Sequence, residues 1–152
     1  ASMTRTRSML AAAVAAGCAS VLMMPGHAQA AGSVHLHKIY YDSPGSDRGS
    51  NSSLNAEYVQ IKNSTTRGVS LKGWTVRDAA NHVYTFGTFT LGAGKIVTVR
   101  TGTGNDSADM RYQDRDWYVW NNDKDKATLK RSTGVVHDTC AYNSTAVDYK
   151  MC

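Results

Sequence analysis

Asn55 to Asp78 reads NAEYVQIKNSTTRGVSLKGWTVRD. Glu57, Val59, Ile61 and Asn63 fall on one face of an extended segment, and Tyr58, Gln60 and Lys62 on the other. Val69 and Leu71 repeat the alternation, Gly73 interrupts it, and Trp74 and Val76 resume it. Period-two patterning with β-branched and aromatic residues predicts three short strands, each with one face on a core and one in water. Asn63-Ser64-Thr65-Thr66 and Gly68 supply turn chemistry, and Gly73 permits a tight bend. Val59, Ile61, Leu71, Trp74 and Val76 form the expected core. Glu57 shares their face, and a buried carboxylate needs hydrogen bonds or a cation. Backbone N–H groups or Arg77 are its expected partners.

Outward from this stretch, the chain of 152 residues suits one domain behind a leader. Ala1-Ser2 ahead of Met3 reads as a cloning scar. The basic Thr4-Arg5-Thr6-Arg7, the apolar run from Met9 to Gly17 and the small-x-small Ala28-Gln29-Ala30 read as a secretory signal peptide cleaved after Ala30. The apolar run is too short and interrupted for a good membrane span. Residues 1–30 are therefore set apart from a working domain of residues 31–152. Small residues before Cys18 also resemble a lipoprotein cleavage site, so a lipid anchor at Cys18 is the lesser alternative to a freely secreted protein. Residues 31–152 carry 15 basic and 12 acidic residues, a mild +3 that selects no partner by charge alone. Their two cysteines, Cys140 and Cys152, form an even count in an exported chain, which favours a disulfide closing a short C-terminal loop.

Val34 to Tyr41 alternates without showing which face is inward. Asp42 to Asn55, DSPGSDRGSNSSLN, reads as a loop of unusual length, and Thr101 to Met110 as a second. His82–Phe86, Lys95–Thr101, Lys126–Arg131 and Val135–Cys140 read as strands, the last two joined by a hairpin turn at Ser132-Thr133-Gly134. No segment after Ala30 shows a helical period. About nine short strands with frequent turn signals predict an all-β sandwich.

In order and spacing, Glu57 to Asn63, Val69 to Asp78, Tyr84-Thr85-Phe86, Thr90 to Gly94, Val97-Thr98-Val99 and Trp120-Asn121-Asn122 with Asp125, Ala127 and Leu129 resemble the lamin tail domain. The likeness runs from about Val34 to Thr139, nearly all of the expected working domain. Lys124 stands where that family usually has glycine and Gly87 where it often has proline, both in turns. The resemblance implies an immunoglobulin-like β-sandwich, a secreted bacterial setting, and a binding or accessory role without catalysis.

Several residues carry chemistry on paper. His35 and His37 share a strand face and could begin a metal site, but it would need His82 or His137 from elsewhere in the fold. Asn121, Asp123 and Asp125 place oxygens at alternate positions, as calcium prefers, yet lack the glycine and bidentate glutamate of a calcium loop. A turn in which these residues cap their own backbone is the better expectation. No metal and no cofactor is therefore expected. No nucleophile elbow occurs and no acid–base pair is evident, so no catalytic residue is assigned. Trp117, Tyr118 and Trp120 lie with Tyr112, Arg111 and Arg115, and aromatics among cations can stack sugars or bases. On a strand, Trp117 and Val119 would share one face and Tyr118 and Trp120 the other. Tyr112, Arg115, Trp117, Tyr118, Lys124 and Lys126 are the candidate binding residues. A protein or cell-envelope partner is the first expectation, a glycan the next, and nucleic acid only weakly. Arg111, Arg115, Lys124, Lys126, Lys130 and Arg131 are nearly cancelled by Asp109, Asp114, Asp116, Asp123 and Asp125.

Overall fold

A computed structural model describes residues 32–152. The expected leader, its cleavage site and Cys18 lie outside the described residues. Within them the chain runs β1 (Val34–Tyr40), α1 (Asn51–Ala56), β2 (Tyr58–Asn63), β3 (Val69–Ser70), β4 (Thr75–Arg77), β5 (Val83–Thr85), β6 (Thr90–Leu91), β7 (Ile96–Arg100), β8 (Met110–Tyr112), β9 (Lys124–Lys130), β10 (Val136–Asn143) and β11 (Tyr149–Met151). The strands form a five-stranded sheet β11-β1-β2-β7-β8, a four-stranded sheet β10-β9-β4-β5, and a small pair β3-β6. All pairings are antiparallel except β7 with β8. The all-β reading stands.

The core lies between the two larger sheets. Leu36, Ile39, Val59, Ile61, Val97 and Val99 enter it from the five-stranded sheet, and Val76, Ala127, Leu129, Cys140 and Tyr142 from the four-stranded one. Leu71 and Trp74 are buried with them at the bend around Gly73, whose φ of 77° favours glycine. A side chain at 73 would also meet Ser132. The Trp74 ring packs edge-on against His137, 4.9 Å between ring centres. Asn63 ends β2 on the inward face, and its amide donates to the carbonyls of Arg67, Leu91 and Gly92. Its Oδ1 accepts from the N–H and hydroxyl of Thr65. One buried amide thereby ties the β2–β3 turn to the β6–β7 turn.

The structure settles the face of β1 in an unforeseen way. Leu36 pairs with Ile61 and Lys38 with Gln60, so His37 has no partner opposite and forms a β-bulge. The extra residue turns the pleat, so Val34 and Leu36 point inward before it and Ile39 and Tyr41 after it. Neither alternating set in the sequence is the inward one. The β1 edge is covered beside the bulge: Asp138 accepts from the Leu36 N–H at 2.8 Å, and His137 Nε2 meets the Val34 carbonyl at 2.7 Å. Beyond the bulge, β11 takes over as the neighbour, held by the Cys140–Cys152 disulfide.

Three further readings are corrected. The loop from Asp42 to Asn55 contains α1, a helix too short to show a period, whose start is capped by Ser50 accepting from the Ser53 N–H. The described residues hold eleven strands, because β8 and the C-terminal β11 pair at sheet edges without long alternating runs. The aromatic segment Trp117–Trp120 is not a strand. Val119 and Trp120 are consecutive and both buried, while Trp117 is 58% exposed. Its backbone is paired with carboxylates in place of a neighbouring strand: Glu57 accepts from the Val119 N–H and Asp125 from the Asn121 N–H.

Candidate functional site

The sequence-predicted binding residues fall in separate places. Tyr112 sits on β8 in register with Arg100, and Gly104 lies against its ring. Arg115 donates to the Val83 carbonyl, and the Tyr118 hydroxyl bonds Ser53 and the Gly49 N–H. The exposed Trp117 ring covers Gly49, where any side chain would collide with it. These three occupy the segment that joins β8 to β9. Lys124 and Lys126 stand on the exposed positions of β9, in the other sheet. Lys124, Lys126 and Trp117 are thus not one continuous strand face.

The metal candidates are also taken apart. The His35 and His37 rings meet edge-on with 6.4 Å between their centres, but His82 pairs with Asp78 at 2.7 Å and His137 with Val34. Burial first, then Lys62, His35 and Lys38, hold the His37 pKa below its usual value. Asp125 Oδ1 accepts from the Ala79 and Lys126 N–H groups and Oδ2 from Asn121, so the carboxylate caps the turn. No cluster of three metal-binding side chains occurs among the described residues. Arg77 bonds Asn81, and the partners of Glu57 are the Thr101 hydroxyl at 2.6 Å and the Val119 N–H at 2.8 Å. Burial, opposed by those bonds, pushes the Glu57 carboxyl up to about 7.

The outer face of the five-stranded sheet holds an arrangement that only strand register reveals. Tyr40 pairs with Tyr149 on one side and Tyr58 on the other, Tyr58 pairs with Arg100, and Arg100 with Tyr112. The result is a row Tyr149–Tyr40–Tyr58–Arg100–Tyr112 across all five strands. The Tyr40 and Tyr58 rings stack at 5.5 Å, and those of Tyr40 and Tyr149 at 6.3 Å. Lys38, one row along, places Nζ 4.5 Å from the centre of Tyr149, 5.5 Å from Tyr40 and 5.8 Å from Tyr58. Lysine beside several phenol rings is a cation–π arrangement. Arg100 lies over Tyr58 at 5.4 Å but is anchored, donating to the Asn55 carbonyl and contacting Met110.

The charged side chains at the outward strand positions of this face are of one sign. These positions include His35, His37, Lys38, Lys62 and Arg100 and no carboxylate. Asp42 and Asp148 lie at the end of the row near Tyr40, whose pKa is raised first by burial and then by Asp148. The two ion pairs among the described residues are His82–Asp78 and Arg111–Asp106, so Lys38 has no acidic partner there. Tyr41, Tyr118 and Tyr142 commit their hydroxyls within the fold; those of Tyr40, Tyr58 and Tyr149 have no such partner among the described residues. Tyr149 and Met151 are 44% and 49% exposed.

Of these residues, sequence reading found Tyr58 as outward-facing and Tyr112 as a candidate, but it missed Lys38, Tyr40 and Tyr149 as a group. Compared with known families, residues 27–144 match the model described as Lamin Tail Domain. No curated protein matches the chain.

Proposed function

The chain belongs to the lamin tail domain family, and from that premise we propose that it works as a non-catalytic binding module of the extracellular space or cell envelope. The finer reading is a secreted bacterial protein in which residues 1–30 are scar and signal peptide and residues 31–152 the working sandwich. The Cys140–Cys152 disulfide supports an oxidising compartment. A lipid anchor at Cys18 is the alternative mode of export. No helix among the described residues is long and apolar enough to cross a membrane.

Lys38 carries the binding reading. It is a cation with no acidic partner among the described residues, and it lies among three tyrosine rings on an open sheet face. Stacked rings beside an ammonium group give a surface whose tyrosines are already ordered, which lowers the ordering entropy lost on binding. A catalytic reading has less support. Glu57, the carboxyl pushed up to about 7, is shut in the core against Thr101 and backbone.

The test is saturable binding of the labelled protein to cell-envelope fractions and secreted polymers of the producing cell. Binding that saturates and weakens in Lys38→Glu supports the module. Absence of saturable binding, or hydrolytic turnover by the purified protein, contradicts it.

A further inference from the structure

We infer that the outer face of the five-stranded sheet binds a carboxylate-bearing polysaccharide, a chain of uronate sugars laid across β11, β1 and β2 over Tyr149, Tyr40 and Tyr58 with a carboxylate at Lys38. This deepens the binding-module reading and rests on it.

Charge complementarity is the first reason. The outward positions of the face offer cations and no acid, so an anion is the ligand that meets no repulsion from the strands themselves. The geometry of the rings is the second. Tyr40 stacks on Tyr58 with planes 23° apart and on Tyr149 with planes 14° apart, so ring faces are turned toward one another and toward Lys38. A nucleobase needs an open ring face on which to stack. The row offers phenol edges and hydroxyls instead. Each phenol donates and accepts one hydrogen-bonding group, which suits sugar hydroxyls.

The small number of free cations favours a sparsely charged anion. Arg100, the guanidinium in the row, is already committed to Asn55 and Met110. A lone ammonium group is a point charge that pairs with a single oxygen of an anion, carboxylate or phosphate alike. Lys38 is the one cation near all three open tyrosines among the described residues; Arg100 reaches only Tyr58 and is anchored, and Lys62 lies farther along β2. A polymer with one charge per sugar matches that spacing better than one charged at every backbone link. Gln60, opposite Lys38, adds an amide next to the cation. Neighbouring strands lie about 4.8 Å apart, so the open tyrosines alone extend about 10 Å, long enough to engage more than a single sugar.

The experiment is calorimetric titration of the purified protein with polygalacturonate oligomers at low and physiological salt. Dextran, a glycerol-phosphate polymer and single-stranded DNA are titrated in parallel. Polygalacturonate should bind, with a shallow salt dependence set by few cations. Lys38→Gln should weaken binding about tenfold, the worth of one charge-assisted hydrogen bond. Tyr149→Ser should weaken it several-fold, and near-ultraviolet circular dichroism should show both variants folded. Lys72→Gln, in the exposed turn before β4, should bind as the wild type does. The inference is overturned if polygalacturonate does not bind at low salt, if Lys38→Gln binds unchanged, or if dextran, DNA or the phosphate polymer binds more tightly. Should uronate fail while envelope binding saturates, this ligand class falls and the module stands. Failure of both removes both readings.

Discussion

Glu57 accepts a hydrogen bond from the Val119 backbone N–H at 2.8 Å, across 62 residues of chain. This contact pulls the segment between β8 and β9 off the sheet and buries Val119 and Trp120 side by side. The second oxygen of Glu57 is buried with no hydrogen-bond partner among the described residues, and desolvation favours the neutral acid.

A pH dependence follows. The carboxyl is raised from 4.5 to about 7 in the folded protein. The stabilisation is therefore complete below the unfolded value and is lost as pH rises through the folded one. Between about pH 4.5 and pH 8 the loss should be about 3 kcal/mol. Glu57→Gln keeps the acceptor oxygen without the charge, so its urea unfolding should lack this component. Wild type and Glu57→Gln with parallel pH profiles would show that the buried acid does not govern stability.

Trp74 is buried at the Gly73 bend against His137. Trp74→Ala should destabilise the fold by about 3–5 kcal/mol, as for other truncated core aromatics. A variant that melts with the wild type would show that the indole contributes no packing.

Asn63 donates to three carbonyls, so Asn63→Asp should behave unlike an ordinary isosteric change. The carboxylate would face those oxygens and repel them, leaving them unbonded. A loss of at least about 2 kcal/mol is expected, larger at pH 8 than at pH 4 because only the ionised form repels. Equal destabilisation relative to the wild type at both pH values would refute the charge argument.

Cys140 and Cys152 close a span of 12 residues. Cys140→Ser with Cys152→Ser should cost about 3 kcal/mol by the loop-entropy model. It should also release β11 and with it Tyr149. Loss of stability without any loss of polygalacturonate binding would separate β11 from the binding face.

Much of the sandwich was legible because its signals are local. The alternation in β2, the bend at Gly73 and the hairpin turn at Gly134 each depend on a few adjacent residues. The bulge at His37 was not legible, since it exists only against β2, and it makes both alternating sets of β1 half right. Val119 and Trp120 defeated the strand reading for the same reason: their partner is a carboxylate distant in sequence. The Ser50 cap of α1 was a local signal that sequence reading passed over. The candidate face was the least legible part. Tyr40, Tyr58 and Tyr149 come from three distant segments, and only the register of β1 with its two neighbours sets them in a row.

The most direct measurement is a map of backbone amide chemical shifts as polygalacturonate oligomers are added to the isotopically labelled protein. The expected shifts concentrate at Lys38, Tyr40, Tyr58 and Tyr149 on the outer face of the five-stranded sheet. Shifts confined to Trp117, Tyr118, Lys124 and Lys126, with Lys38 and its tyrosines unmoved, would contradict the assignment and return the site to the segment between β8 and β9.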